Sequence, residues 1–293
     1  MTEWLYSNKS LIMVTRIFAI IFLLSFSAGA QAQQTFRMLT YNVFEGFKND
    51  SLLYDQFAKW ALETDADIIA FQEMNRFTQR GLEAFAARYG HPYAVLSKPD
   101  GYPVALSSKH PIVNVQKVVD NMWHAYLYGN VNDIHIFVLH LSPFTYEKRR
   151  SELRLVLAHA ATLPEGSKIA IMGDFNAVSR EDEPYHDKVM MDFLANWQNN
   201  DPRVRAIVNG KPDYSVMDLI YNAGYRDTFR LKFREHSGTF PTRKYGDPVP
   251  RRIDAIWVNE ALAEKLVSCS IVKDATTDSL SDHYPVMAVF KLD

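Results

Sequence analysis

The amino-acid sequence predicts an α/β or α+β fold with large β-sheets, and three observations indicate this class. Short apolar runs of the β type recur along the chain, and helical patterns lie between them. The composition, with 47% hydrophobic and 23% charged residues, is that of a globular protein with a sizeable core. No Gly/Ser-rich or Pro-rich stretch is long enough to link two halves, so we expect one large domain.

The expected elements follow from the spacing of the apolar residues. Strand-like runs cover Phe36–Val43, Asp67–Gln72, Tyr93–Leu96, Val104–Ser107, Ile134–His140, Lys168–Met172, Arg252–Val258, Val267–Val272 and Val286–Leu292. Helical patterns cover Leu52–Glu63, Gly81–Tyr89, Tyr146–Ala161, Tyr185–Trp197 and Ser215–Asn222. The segments Asn199–Lys211 and Thr242–Pro250 lack periodicity and are predicted to be long surface loops.

The first 32 residues have the layout of a secretory signal peptide. Lys9 and Arg16 precede the apolar run Ile17–Phe26, and small residues follow, so cleavage is expected near Ala30 or Ala32. We therefore predict an exported protein, periplasmic or extracellular, whose mature domain spans residues 33–293. Either Met1 or Met13 fits as the start. A membrane anchor is the alternative, but the run is shorter than the roughly 20 residues that span a bilayer.

The overall charge gives no strong attraction to a polyanion. The net charge is −2 and the isoelectric point about 6.5, which argues against a dedicated nucleic-acid binder without excluding one. Basic residues cluster locally, and either a solvated face or a phosphate-facing rim would explain them. These residues are Arg203, Arg205, Lys211, Arg226, Arg230, Lys232, Arg234, Arg243, Lys244, Arg251 and Arg252. The single Cys269 cannot form an intramolecular disulfide.

Six segments share one feature, an apolar strand-like run that carries Asp, Glu, Asn or His at its end. Burial of such groups is costly unless they are paired or bind a metal, so the repetition predicts a polar centre between sheets. The segments are Leu39–Val43, Ile68–Glu73, Val138–Ser142, Ile171–Asn176, Arg252–Ile256 and Ser281–Pro285.

In this order, the six segments resemble the motifs of the endonuclease/exonuclease/phosphatase superfamily. The combination of Gln-Glu, Gly-Asp-Phe-Asn and Ser-Asp-His-Tyr-Pro is specific, although each piece alone is weak. The resemblance covers essentially the whole mature chain. It implies a DNase I-like fold, a four-layer sandwich of two mixed β-sheets flanked by helices, with the active site at one end.

The resemblance implies a metal site at Asn42, Glu73 and Asp282. Glu73 supplies a hard oxygen ligand, which suits Mg²⁺, with Mn²⁺ as an alternative. Asn42 either completes the metal shell or holds Glu73 in place. Asp282 is implied as a metal ligand or as a group that handles the leaving group. For Glu73 or Asn42 alone, a turn or strand-end cap would be the common explanation.

The Gly-Asp-Phe-Asn segment carries two polar groups two residues apart. In extended chain, Asp174 and Asn176 would face the same side while Phe175 points into the core. By resemblance, Asp174 orients or deprotonates the attacking water, and Asn176 donates to a non-bridging phosphate oxygen. The alternative is an Asx-turn at the strand end.

Two histidines complete the expected site. Asp254 and His283 suit a carboxylate–imidazole pair, in which protonated His283 neutralises charge that develops on the phosphorus centre. His140 follows an apolar strand and would direct a donor at phosphate oxygens. We interpret His135 as structural, and Arg252 and His236 as lesser candidates near the pocket, where Arg252 could instead pair with a surface acid.

The leading interpretation is therefore a metal-dependent phosphoesterase, acting on a phosphomonoester or phosphodiester by in-line attack of water. The substrate would be a small organic phosphate, a lipid headgroup or nucleic acid. A secreted endonuclease is the close alternative, although Gly101–Ala105 and Ser107–Pro111 lack the Asn and Arg that relatives often place at the rim. A non-catalytic binding module and a zinc enzyme are weaker alternatives.

Overall fold

Two six-stranded mixed β-sheets lie face to face in the computed structural model, which describes residues 35–246 and 249–292. The first sheet contains, in spatial order, β13 (Leu266–Ile271), β14 (Val286–Lys291), β1 (Thr35–Asn42), β2 (Ile68–Gln72), β4 (Ala105–Ser108) and β3 (Tyr93–Leu96). The second contains β11 (Arg226–Asp227), β12 (Asp254–Val258), β8 (Lys168–Asp174), β7 (Ile134–His140), β6 (Ala125–Val131) and β5 (Val113–Val118). A short ribbon pairs β9 (Ile207–Val208) with β10 (Lys211–Pro212).

Helices cover the outer faces of both sheets. The longer ones are α1 (Ser51–Thr64), α2 (Gln79–Ala87), α3 (Tyr146–Ala160), α4 (Lys188–Asn200) and α5 (Ser215–Asn222). Four of them begin after a side chain that accepts a bond from the first turn, namely Asp50, Thr78, Thr145 and Asp187. Single turns occur at Glu260–Ala263 and Thr277–Leu280, with 3₁₀ turns at Arg180–Tyr185 and Arg243–Tyr245.

Alternation along the strands builds the layers. In β1, Phe36 and Met38 belong to the core between the sheets, whereas Leu39 and Tyr41 pack under the helices of the first sheet. The outer face of the second sheet packs in the same way against α3 and α5. Each sheet is mixed because β1 runs parallel to β2 and β7 runs parallel to β8, while their other neighbours run antiparallel.

This architecture confirms the expected sandwich of two mixed sheets, but the strand predictions were incomplete. The apolar spacing predicts no strand between residues 113 and 131, where β5 and β6 lie. β5 lies at the sheet edge and is almost wholly exposed, and its short run Val113–Val118 alternates apolar and polar residues only over its first four positions. The segment predicted as a loop at 199–211 contains the end of α4 and the small ribbon.

The part of the chain that the structure describes forms one compact unit, Thr35–Leu292. The predicted signal peptide, residues 1–32, lies outside the described residues. Among residues 35–246 and 249–292, none of the helices combines the length and apolarity that a bilayer crossing requires.

Candidate active site

The polar strand ends meet at one edge of the sandwich because of strand register. In the second sheet Asp174 pairs across with Asp254 on one side and with His140 on the other. In the first sheet Asn42 pairs with Gln72, and Glu73 follows directly. Residues two apart face the same side of a strand. The polar side chains at these strand ends lie in the same rows as the apolar residues of the core between the sheets, so they also point between the sheets.

Asp174 lies at the centre of this cluster. Its Oδ2 accepts from Asn42 Nδ2 at 3.1 Å and lies 3.4 Å from His140 Nε2 and 3.9 Å from His283 Nε2. The side chain is buried, and this burial, together with the negative charge of Asp254, raises the pKa of Asp174. A carboxylate held in this way is poised to exchange a proton near neutral pH.

His283 forms the expected pair with Asp254. The imidazole Nδ1 lies 2.8 Å from Asp254 Oδ2, and the ring of Phe240 packs 4.8 Å away, centroid to centroid. Burial alone would lower the pKa of His283, but Asp254, Asp174 and Asp282 outweigh it and raise the pKa to about 10. His283 is therefore an imidazolium at neutral pH.

Glu73 is held by a backbone turn that follows β1. Its Oε2 accepts from the amide of Glu45 at 2.8 Å, and its Oε1 accepts from Asn42 Nδ2 at 3.3 Å. The Oδ1 of Asn42 accepts from the amide of Phe44 at 3.1 Å. Of the two roles expected for Asn42, the side chain as placed holds Glu73 and Asp174. Burial raises the pKa of Glu73.

The turn that cradles Glu73 is left-handed. Phe44, Glu45, Phe47, Lys48 and Asn49 have φ angles between 47° and 57°, and Gly46 between them has φ 66°. Such a conformation costs roughly 1–2 kcal/mol for each non-glycine residue. Strain of this kind persists where the surroundings enforce it and is common at functional sites.

Asp282 lies beside His283 as expected. Its Oδ1 accepts from Ser281 Oγ at 3.3 Å and lies 4.0 Å from His283 Nε2. Burial raises the pKa of Asp282, while His283 lowers it. Ser281 Oγ also lies within bonding distance, 2.7 Å, of the carbonyl oxygen of Asn42, which ties this segment to the end of β1.

Asn176 does not follow the extended geometry that the sequence analysis assumed. β8 ends at Asp174, and Asn176 has φ 48°, so the two side chains are not placed by strand alternation. The amide of Asn176 donates to Asp174 Oδ1 at 2.8 Å, the bond of an Asx-turn, and its Nδ2 donates to the carbonyl of Leu141 at 3.0 Å. Phe175 is fully buried, as predicted.

The carboxylate cluster fits a divalent cation. Glu73, Asp174, Asp254 and Asp282 gather around His283, so negative groups outnumber the buried imidazolium, and hard oxygens are the donors that Mg²⁺ prefers. Ligand atoms of Asp174, Asp254 and His283 lie within 4.8 Å of one another. A protonated imidazole cannot ligate a metal, however, so the carboxylates of the cluster are the groups that could hold the cation.

Two lesser candidates lie away from this cluster. Arg252 was expected near the substrate or on a surface acid, but it is buried and pairs with Asp182 and Asp227. His236 Nδ1 lies 3.0 Å from Asp182. Many of the basic residues are likewise paired with carboxylates, including Arg203, Arg205, Lys211, Arg230 and Arg243. This pairing favours solvated or structural roles for them.

Two residues beside the site, His124 and Glu152, are not predicted by the sequence pattern. The ring of His124 stacks on His140 with centroids 4.1 Å apart, and Glu152 accepts from the backbone amides of Trp123 and Ser142 beside them. His124 directly precedes β6, a strand that was not predicted. The spacing of Arg149 and Glu152, one turn apart on α3, was the available signal, because both are buried charges on a helix that otherwise faces the core with apolar residues.

The match to a family model spans most of the chain. A model described as the Endonuclease/Exonuclease/phosphatase family matches residues 39–283. No curated protein sequence matches at a significant level.

Several solved structures share the architecture. An AP endonuclease from Archaeoglobus fulgidus aligns with a TM-score of 0.64 and 21% identity, covering 88% of this chain and 100% of its own. The 3′ phosphatase NExo from Neisseria, bound to a product DNA hairpin, aligns with a TM-score of 0.65 and 18% identity over 88% and 100%. An endonuclease/exonuclease/phosphatase protein from Beutenbergia cavernae gives 0.61 and 17% over 88% and 72%. At these identities the likeness shows a shared fold.

Proposed function

Because the chain belongs to the endonuclease/exonuclease/phosphatase family, whose members hydrolyse phosphate esters, we propose that it is an exported, divalent-metal-dependent phosphoesterase. The observation that carries the proposal is the convergence of Asp174, Asp254 and His283, whose polar side-chain atoms lie within 4.8 Å of one another, at the end of the sandwich where Asn42 also joins Glu73 to Asp174.

Each side chain of the site has a separate role in in-line hydrolysis. Asp174 has a raised pKa and takes the proton of the attacking water. His283, held as an imidazolium by Asp254, donates to a phosphate oxygen and stabilises the charge that develops on it. His140 and Asn176 flank Asp174 and direct neutral donors at the other oxygens.

A divalent cation, Mg²⁺ or Mn²⁺, would be held by Glu73 and Asp282, with Asn42 joining Glu73 to Asp174 beside them. When bound, such an ion neutralises the phosphate and activates water for attack. The left-handed turn at residues 44–49 fixes Glu73 before any ligand arrives, which lowers the entropic cost of assembling the site.

The substrate class favoured here is a small or lipid-like phosphoester, as a diester or a monoester. The net charge of −2 and the pairing of basic side chains such as Arg203, Arg205 and Lys211 with carboxylates weaken the attraction of a polyanion. A secreted nuclease is the second candidate, since an AP endonuclease and the 3′–5′ exonuclease NExo have a similar fold. Export rests on the signal-like first 32 residues.

Hydrolysis of bis-p-nitrophenyl phosphate with Mg²⁺ or Mn²⁺, with and without chelator, tests the reaction. Asp174→Asn and His283→Ala should each lower kcat by on the order of 10²-fold or more. His135→Ala is the matched control, because this half-buried histidine bonds Tyr128 and lies at the other end of β7 from His140. Near-normal turnover in both site variants would refute the assignment.

A panel of phosphomonoesters, choline phosphodiesters, sphingomyelin and plasmid DNA separates the substrate classes. Plasmid cleavage that weakens steeply with added salt would favour the nuclease, because binding to a polyanion releases counterions. Preference for a small or lipid-headgroup ester, with little salt dependence, supports the main proposal.

A further inference from the structure

A buried carboxylate on helix α3 bridges the two loops that lead into the site. Glu152 is fully buried, and its Oε1 accepts from the amide of Trp123, directly before His124. Its Oε2 accepts from the amide of Ser142 at 2.8 Å, two residues after His140. A single side chain therefore fixes the backbone beside both histidines.

A second buried charge on the same helix face strengthens this hold. Arg149 is 4% exposed, and its NH1 donates to the carbonyl of Ser142 at 3.2 Å. Because Arg149 and Glu152 lie three residues apart, they project from the same face of α3. Together they hydrogen-bond the amide and the carbonyl of one residue, Ser142, and so fix the backbone that follows β7.

The two histidines rely on each other for orientation. Their rings stack at 4.1 Å with an interplanar angle of 19°, and both side chains are nearly fully buried. Within the described residues, His124 Nε2 and His140 Nδ1 have no hydrogen-bond partner. The His140 ring is held by its stack on His124 and by its contact with Asp174 Oδ2 at 3.4 Å.

We propose that Glu152 is a positioning residue, which sets the stack of His124 on His140 and thereby aims His140 Nε2 into the reaction centre. This inference rests on the proposed function, in which His140 contacts the phosphate. A displacement of about 1 Å in a catalytic group can cost on the order of 10²-fold in rate. A carboxylate that anchors two loops at once prevents such a displacement.

The stack is tested by a pair of His124 variants. His124→Phe keeps a flat ring, so kcat should stay within about threefold of the wild type, whereas His124→Ala removes the stack and should lower kcat by at least about tenfold with KM changed by less than about twofold. The matched control is the stack of His135 on Tyr128, 6.0 Å apart, where His135→Ala should leave both parameters unchanged. Rates are normalised to the folded fraction measured by circular dichroism.

The anchor is tested by Glu152→Gln and Glu152→Ala. Gln retains an oxygen that can accept from one of the two amides, so it should recover a substantial part of the kcat that Ala loses. Wild-type kcat in His124→Ala, or an equal loss in His124→Phe, would overturn the proposal even where Glu152→Ala does not fold.

Histidine ring NMR separates this inference from the proposed function. The ring signals of His140 should shift in Glu152→Gln and in His124→Ala but not in His135→Ala, and this measurement needs no turnover. Unchanged His140 signals would overturn the positioning role. A wild-type protein that hydrolyses no ester, with the NMR shifts present, would instead refute the proposed function.

Discussion

Replacement of Asp254 by asparagine separates the charge of this residue from its position. In the wild type, Asp254 Oδ2 lies 2.8 Å from His283 Nδ1, and an asparagine oxygen can still accept from the same nitrogen. The substitution therefore removes one negative charge and leaves the ring in place. His283 would lose its strongest electrostatic support.

The magnitude follows from the pKa of His283. Burial opposes the imidazolium, yet the acids around it raise the pKa to about 10, and Asp254 is the largest favourable contributor. An opposite charge at this distance is worth roughly 1–3 pKa units. Because the folded pKa is raised, the protonated form persists up to about pH 10 and is lost above it. In Asp254→Asn this loss should begin roughly 1–3 pH units lower.

The assay is the pH profile of kcat for bis-p-nitrophenyl phosphate between pH 6 and 10.5 with Mg²⁺. We expect the alkaline limb to move to lower pH, with kcat at pH 8 reduced by up to about tenfold as the imidazolium fraction falls. Thermal unfolding of the variant controls for folding. An alkaline limb at the wild-type position, in a folded variant, would show that His283 does not act as an imidazolium.

Three further predictions concern stability. Gly173→Ala should lower the free energy of unfolding by at least about 2 kcal/mol, measured with denaturant. The reason is that Gly173 has φ 146° and that an added Cβ would lie 2.0 Å from the carbonyl oxygen of Leu139. A smaller loss would show that the two strands move apart readily. Arg252→Met should lower the free energy of unfolding by about 3–5 kcal/mol, since it removes one ion-pair partner of buried Asp182. An unchanged stability would mean that the other cations around Asp182 are enough to neutralise its charge. Burial lowers the pKa of His91 to about 4. The contribution of His91 to the free energy of unfolding is therefore complete above pH 6.5 and is lost as the pH falls toward 4. His91→Gln should remove on the order of 3 kcal/mol of this pH dependence, and an unchanged slope in chelator-treated protein would contradict it.

The fold class and the residues of the site were largely accessible from local patterns. Polar residues flank apolar runs at the strand ends, and the two-residue period of a strand assigns Asn42, His140 and Asp254 to the same face as the buried apolar residues an even number of positions away from each. The prediction failed for β5, a short strand exposed at the sheet edge, and for Asn176, whose left-handed backbone accompanies its bond to Asp174.

The sequence by itself determined the family, the order of the polar strand ends and the side chains available for chemistry, because hydrophobic period and residue type are local properties. Only the tertiary structure decided that Asn42 contacts both Glu73 and Asp174, the latter 132 residues away along the chain, and that Glu152 anchors the backbone beside His124 and His140. These contacts depend on strand register and helix packing between distant segments. The pKa shifts depend on burial as well, which no local pattern of residues specifies.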